Sequence, residues 1–212
     1  MKKGFSIIEL VIAVSLASFV LVGVAVIASQ MARSQVDGIR SGTVTGWSLV
    51  SYTAMAKEIE DANVLAYPIN NGDNADSIVI CKNWSRIQGG KLDATGNVSV
   101  VQYCVDTSAA GNFLLRRYAN VGPGVACPSP PAAPVGCIAS PTGTWTETGV
   151  VGFRLEKLSG FANVFWRDNG IGGVRLRYVI GQQAATANQP VVKFTPFDFG
   201  IAMQKKFNGT LD

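Results

Sequence analysis

The chain of 212 residues contains no histidine. This absence excludes His-based acid–base catalysis, Ser-His-Asp and Cys-His triads, and metal sites with imidazole ligands. The four cysteines show no C-x-x-C spacing, which disfavours a zinc site. The sequence also has no nucleophile elbow and no phosphate-binding loop. We therefore predict a protein that is not an enzyme and that uses no metal and no other cofactor.

Carboxylate pairs are the remaining candidates for catalysis. Asp73 with Asp76, and Glu58 with Asp61, are close in sequence, but both pairs fall in a polar loop or on a polar helix surface. The Asn- and Asp-rich residues 70–76 could also bind calcium. Their spacing does not match an EF-hand loop, so we interpret them as a solvated turn.

Charge is sparse as well. Charged residues make up 15% of the chain, the formal net charge is +4, and no long basic run is present. Scattered strand arginines are more often solvated surface than a nucleic-acid site, so nucleic acid is the less favoured partner. The residues that could form a basic face are Arg116, Arg117, Arg154, Lys157, Arg167, Arg175, Arg177, Lys205 and Lys206.

A long uncharged run is present near the N-terminus, at residues 10–32. As a helix it would be about 35 Å long, enough to cross the ~30 Å hydrocarbon core of a bilayer. Lys2 and Lys3 precede it and predict a cytoplasmic N-terminus with an exported remainder. Glu9 lies at the edge of this run, where an acid is costly and therefore a candidate for function.

Three ordinary interpretations compete for this run. A cleaved secretory signal could end after Ala28, but the run is long for such a signal and Glu9 fits poorly inside it. A simple single-pass anchor leaves Glu9 unexplained. A buried core helix is disfavoured because the run is apolar on every face.

The motif Lys2-Lys3-Gly4-Phe5-Ser6-Ile7-Ile8-Glu9-Leu10 closely resembles the class III signal of type IV pilins and type II secretion pseudopilins. That signal is a short basic leader ending in Gly, then Phe, an acid four residues later, and about twenty apolar residues. The resemblance implies cleavage between Gly4 and Phe5 by a prepilin peptidase and N-methylation of Phe5. It also implies that Glu9 neutralises the N-terminal amine of a neighbouring subunit during filament assembly.

The same resemblance implies partners and a location. The partners are other pilin or pseudopilin subunits, bound through the N-terminal helix, the prepilin peptidase and the inner-membrane assembly platform. The protein would sit in the inner membrane as a single-pass chain with an exported head, and then enter a pilus or a periplasmic pseudopilus.

Length and proline content bear on the type of subunit. The run at residues 10–32 contains no proline, whereas major pilins commonly carry one there, and the chain is longer than typical major pilins. It looks most like the larger minor pilins of the W type or the J-type minor pseudopilins. We therefore expect a minor subunit that primes or caps filament assembly; a tip adhesin, a DNA-uptake subunit and the major subunit remain alternatives.

The predicted fold class is α+β, a long N-terminal helix packed on an antiparallel β-sheet head. Apolar spacing continues the helix to about Ala66, and Tyr67-Pro68 ends it. We expect a leader at residues 1–4, a transmembrane or filament-core helix at 5–32, a helix entering the head at 33–67, and a β-rich head at 68–212. The strand segments are 77–81, 98–105, 112–118, 149–155, 164–167, 174–180, 191–194 and 197–203.

The four cysteines all lie in the exported part, where disulfides persist. They are Cys81, Cys104, Cys127 and Cys137, and they allow three pairings. Cys127 and Cys137 enclose a short Pro-rich loop and are the easiest pair to join, which leaves Cys81 for Cys104. Strand register argues against that second bridge, because a hairpin would separate the two cysteines along their strands.

Overall fold

A computed structural model of the chain describes residues 6–108, 113–128, 137, 145–181 and 194–203. The chain divides into two compact units, residues 1–43 and residues 44–212. Within the described residues it forms one helix, α1 (Ile7–Glu60), and nine strands. The strands are β1 (Val64–Tyr67), β2 (Asn74–Ala75), β3 (Ser77–Lys82), β4 (Val98–Asp106), β5 (Phe113–Gly122), β6 (Thr146–Lys157), β7 (Phe165–Asp168), β8 (Gly173–Gly181) and β9 (Phe194–Ala202).

The second unit confirms the α+β prediction. The part of α1 that belongs to it buries one face, formed by Val44, Ser48, Ser51, Met55 and Ile59. The steps of three and four residues between them follow the helical period, so these side chains lie on one side. They pack on a curled antiparallel sheet, where Met55 and Ile59 are fully buried.

The helix ends earlier than the sequence predicted. It stops at Glu60, and the four residues from Val64 to Tyr67, predicted as helix, form β1. Val64 and Leu65 are both buried but belong to different hydrophobic clusters. Only the alternation of a strand sends neighbouring side chains to opposite faces, so pairing with β3 outweighs the helical spacing.

The strands join in one sheet with the order β1-β3-β4-β5-β6-β8-β7-β2, and β9 pairs with β8. All pairings are antiparallel. Every predicted strand up to residue 180 overlaps an observed one. Residues 191–193, and most of the Pro-rich segment that follows β5, lie outside the described residues.

β6 is the most irregular strand of the sheet in its register. Its register with β5 shifts three times, between Phe113 and Leu115, between Leu115 and Arg116, and between Arg117 and Tyr118. Each shift inserts an extra residue into β6, which bends the strand and increases its twist. β6 thereby pairs with β5 along most of its length and with β8 only at its last three residues.

Both faces of the β1-β3-β4 region are buried. The helix-side cluster takes Ile80 from β3 and Tyr103 from β4, whereas the back-face cluster takes Val79 and Val100. Strand alternation explains this division. The back face is completed by Cys127, Trp84 and Trp145.

The disulfides connect Cys81 to Cys127 and Cys104 to Cys137, with Cα–Cα distances of 5.8 and 5.3 Å. The favoured pairing of Cys127 with Cys137 and of Cys81 with Cys104 is therefore wrong. Cys81 lies opposite Val100 and Cys104 opposite Ser77, so the two strand cysteines are offset by about 13 Å along the ladder. That distance is too long for a disulfide, and each strand cysteine bonds instead to the segment that follows β5.

Candidate functional site

The apolar half of α1 is the first candidate. Every described residue from Ser6 to Ile39 is exposed, although residues 10–32 carry no charge. Ser15 and Ser18 donate their hydroxyls to the carbonyls of Val11 and Val14, both at 2.8 Å, so these polar groups are satisfied within the helix. By length and composition, α1 is the one helix of the described residues that could span a membrane. This finding is consistent with a single-pass anchor.

Glu9 lies in the first turn of α1. Its Oε2 atom accepts a hydrogen bond from the backbone N–H of Ser6 at 3.0 Å, and the Ser6 hydroxyl accepts one from the N–H of Ile8 at 3.4 Å. This is a capping-box arrangement, in which an acid three residues after the N-cap satisfies a free backbone donor. Sequence reasoning missed this local role, although the Ser6-x-x-Glu9 spacing is itself its signal. Gly4 and Phe5 lie outside the described residues.

Glu58 anchors the last turn of α1 to the sheet. Its carboxylate accepts two hydrogen bonds from Arg117 on β5, Nε to Oε2 at 2.9 Å and Nη2 to Oε1 at 2.6 Å. The Tyr103 hydroxyl on β4 donates to Oε2 at 2.5 Å, and the Nζ of Lys82 lies 3.9 Å from Oε1. The guanidinium fork matches the two carboxylate oxygens, which makes this the strongest type of ion pair.

The electrostatics of this cluster favour its charged form. Burial acts to raise the pKa of Glu58, but hydrogen bonds from Arg117 and Tyr103 and the charges of Arg117 and Lys82 outweigh it and hold that pKa below its usual value. Burial, and then the hydrogen bond to Glu58, raise the pKa of Tyr103. The cluster therefore keeps the Glu58 carboxylate charged where α1 meets the sheet.

The residues predicted to form a basic face are largely neutralised. Five of them are paired with carboxylates: Arg117 with Glu58, Arg116 with both Asp106 and Glu147, Lys157 with Asp76, Arg175 with Asp168, and Arg177 with Asp198. Arg167 is buried, and Lys205 and Lys206 lie outside the described residues. Paired cations attract phosphates weakly, so the structure offers little support for a nucleic-acid surface.

The two acids of residues 70–76 both accept hydrogen bonds from other residues of the protein. The Asp73 carboxylate accepts bonds from the backbone N–H and the side-chain amide of Asn70, at 2.8 and 3.0 Å. Asp76 bonds Lys157 at 2.6 Å. Among the described residues, no group of three or more His, Cys, Asp and Glu side chains could hold a metal ion.

Comparison with family models, with curated proteins and with solved structures finds no match to this chain. The resemblance to pilins and pseudopilins therefore depends on the N-terminal motif and on the features of α1.

Of the predicted site residues, the structure brings Glu9 together with Ser6 and each strand cysteine together with a cysteine of the later segment. It does not bring Cys81 to Cys104. The Glu58 cluster was not predicted as a site. Its partners, Arg117 and Tyr103, are far from Glu58 in sequence, and no local pattern connects them.

Proposed function

We propose that this protein is a minor pilin or minor pseudopilin, a structural subunit that primes or caps assembly of a type IV pilus or a type II secretion pseudopilus. The observation that carries the proposal is the position of Glu9. Glu9 lies in the first turn of α1, four residues after Phe5 of the Gly4-Phe5 junction. The 23 residues that follow it are uncharged and exposed. An acid in that position is costly in a membrane unless it meets a positive partner.

The architecture supports the same proposal. α1 continues beyond the apolar run to Glu60, and its last four turns pack on the sheet of the head. A helix of this kind can leave the membrane and stack with its copies while the head stays folded. The absence of proline from the apolar run and the disulfide-bonded head support a minor subunit.

Cleavage of the leader is the first test. The full chain would be produced in cells with and without an active prepilin peptidase, and its N-terminus read by mass spectrometry. We expect loss of residues 1–4 and a methylated Phe5 only when the peptidase is present. Gly4→Leu should block the cleavage, whereas Ser15→Ala should not. An unchanged N-terminus in the native chain would refute membership of this class.

The role of Glu9 needs a separate test, because its capping bond alone could explain it. Glu9→Gln retains an acceptor for the Ser6 N–H but loses the charge, whereas Glu9→Ala loses both. If Glu9 neutralises an amine, both variants should be cleaved and membrane-bound yet poorly incorporated into sheared filaments or into complexes with partner subunits. If the Glu9→Gln variant enters filaments or subunit complexes normally, Glu9 caps the helix and has no role in neutralising an amine. Glu60→Ala, at the other end of α1, is the control.

A further inference from the structure

Arg167 is a buried cation without an acidic partner. It lies on β7 with 7% of its surface exposed. Its Nη1 atom donates to the carbonyls of Pro68 and Ile69 at 3.2 and 2.9 Å and approaches that of Leu65 at 3.4 Å. Its Nε atom donates to the side-chain oxygen of Asn169 at 3.1 Å. Buried guanidinium groups are rare unless they are paired.

A second arginine reaches the same point. The Nη2 atom of Arg86 donates to the Leu65 carbonyl, also at 3.4 Å. Two nitrogen atoms that are each 3.4 Å from one oxygen lie no more than about 7 Å apart, so two positive charges are held close together. Burial, and then the charge of Arg86, lower the pKa of Arg167, and the charge of Asp73 opposes this only in part.

The carboxylates of the described residues form their ion pairs elsewhere. None of the ion pairs given above, nor that of Glu58 with Lys82, involves Arg86 or Arg167. Asp73 is the acid whose charge acts on Arg167, but its carboxylate is held by Asn70. The pair therefore keeps like charges together, an arrangement that a bound anion would stabilise.

We propose that Arg86 and Arg167 form a binding site for an oxyanion of the carboxylate or phosphate type. The hydrogen bonds of the described residues use Nη1 and Nε of Arg167 and Nη2 of Arg86. Nη2 of Arg167 and the Nε and Nη1 atoms of Arg86 remain as donors, and guanidinium N–H groups match the geometry of planar and tetrahedral oxyanions. The site would lie between the turn after β1 and the loop after β3, independent of any role in filament assembly.

The two arginines contribute differently, which allows a test. Arg167 binds several backbone carbonyls and is part of the fold, so its replacement would disturb the head itself. Arg86 makes one long hydrogen bond and is only partly buried. Arg86→Gln should therefore remove half of the anion site and leave the carbonyl contacts of Arg167 in place.

The experiment is a calorimetric titration of the full chain, in an uncharged detergent, with inorganic phosphate and separately with acetate. Sodium chloride at the same ionic strength is the control for screening. We expect saturable binding of at least one oxyanion and none of chloride. Saturation by phosphate alone, or by acetate alone, would identify the class of the natural ligand.

Arg86→Gln should weaken that binding by about tenfold or more, because a hydrogen bond to a charged group is lost. Lys91→Gln removes one positive charge from the same loop and should bind as the native chain does. Protection of Arg86 from phenylglyoxal by the oxyanion, mapped by peptide mass spectrometry, gives a readout on the native chain if the variant does not fold. Absence of saturable binding, equal binding by Arg86→Gln, or absence of protection would each overturn the proposal.

Discussion

Removal of Glu58 should loosen the head at the point where α1 ends. In Glu58→Ala the hydroxyl of Tyr103, which is fully buried, loses its acceptor, at a cost of about 1 to 3 kcal/mol. Arg117 loses its bidentate partner, and because both side chains are about one-fifth exposed, solvent screening limits this part to about 1 kcal/mol. The expected loss in the free energy of unfolding of the head is about 2 to 4 kcal/mol.

The loss can be measured on the full chain in detergent. All four tryptophans lie in residues 44–212, so their fluorescence reports on the head rather than on the membrane segment. A loss of 2 to 4 kcal/mol corresponds to a fall in Tm of roughly 4 to 16 °C for a unit of this size. Glu58→Gln keeps an acceptor for Tyr103 and should lose less than Glu58→Ala.

Glu60→Ala is the matched control, because it removes the same charge from the same turn of α1, where Glu60 forms no ion pair among the described residues. Its Tm should stay close to that of the native protein. Combining Glu58→Ala with Tyr103→Phe should destabilise the head by less than the sum of the single changes, since both remove the same hydrogen bond. An equal Tm for Glu58→Ala and Glu60→Ala would refute the assigned role of this cluster.

The charge of Glu58, one disulfide and the buried face of α1 each give a further prediction. Because the pKa of Glu58 is lowered in the folded head, its contribution to stability should be present above about pH 4.5 and be lost as pH falls further; Glu58→Gln should remove that part of the pH dependence of Tm. Peptide mapping without reduction should recover Cys104 linked to Cys137, and replacing both by Ser should lower the free energy of unfolding by about 4 kcal/mol. Met55→Ala should cost about 2 to 5 kcal/mol in urea unfolding, whereas the exposed Thr53→Ala should cost under about 0.5 kcal/mol; equal effects would contradict the packing of α1.

Local patterns in the sequence predicted the elements of the head well. The alternation in β8 places Val174, Leu176 and Tyr178 in the core, as observed. Alternation alone would place the Arg177 side chain in water, but its guanidinium lies over the rings of Phe161 and Trp166, at 4.6 and 4.5 Å from their centroids. Alternation defines the face on which a side chain lies and gives no information on its neighbours from other loops.

The errors arose where distant segments decide the outcome. β1 is a strand because β3 lies beside it, and its own spacing suits a helix equally well. The cysteine pairing depends on the register of β3 with β4, which no local spacing reveals. Glu58 meets Arg117, and Arg167 reaches the carbonyl of Leu65, across sequence intervals that only the sheet topology brings together.

The crossed order of the disulfides bears on how the chain matures. If the head is exported from its N-terminal side, as the proposed function implies, Cys81 and Cys104 become exposed before Cys127 and Cys137. Closure of the short loop between Cys81 and Cys104 costs less entropy than either native loop, so this non-native bond is favoured until the later cysteines emerge. A chain that forms it reaches the native pairing only by thiol–disulfide exchange, and the yield of folded head should then depend on a disulfide isomerase.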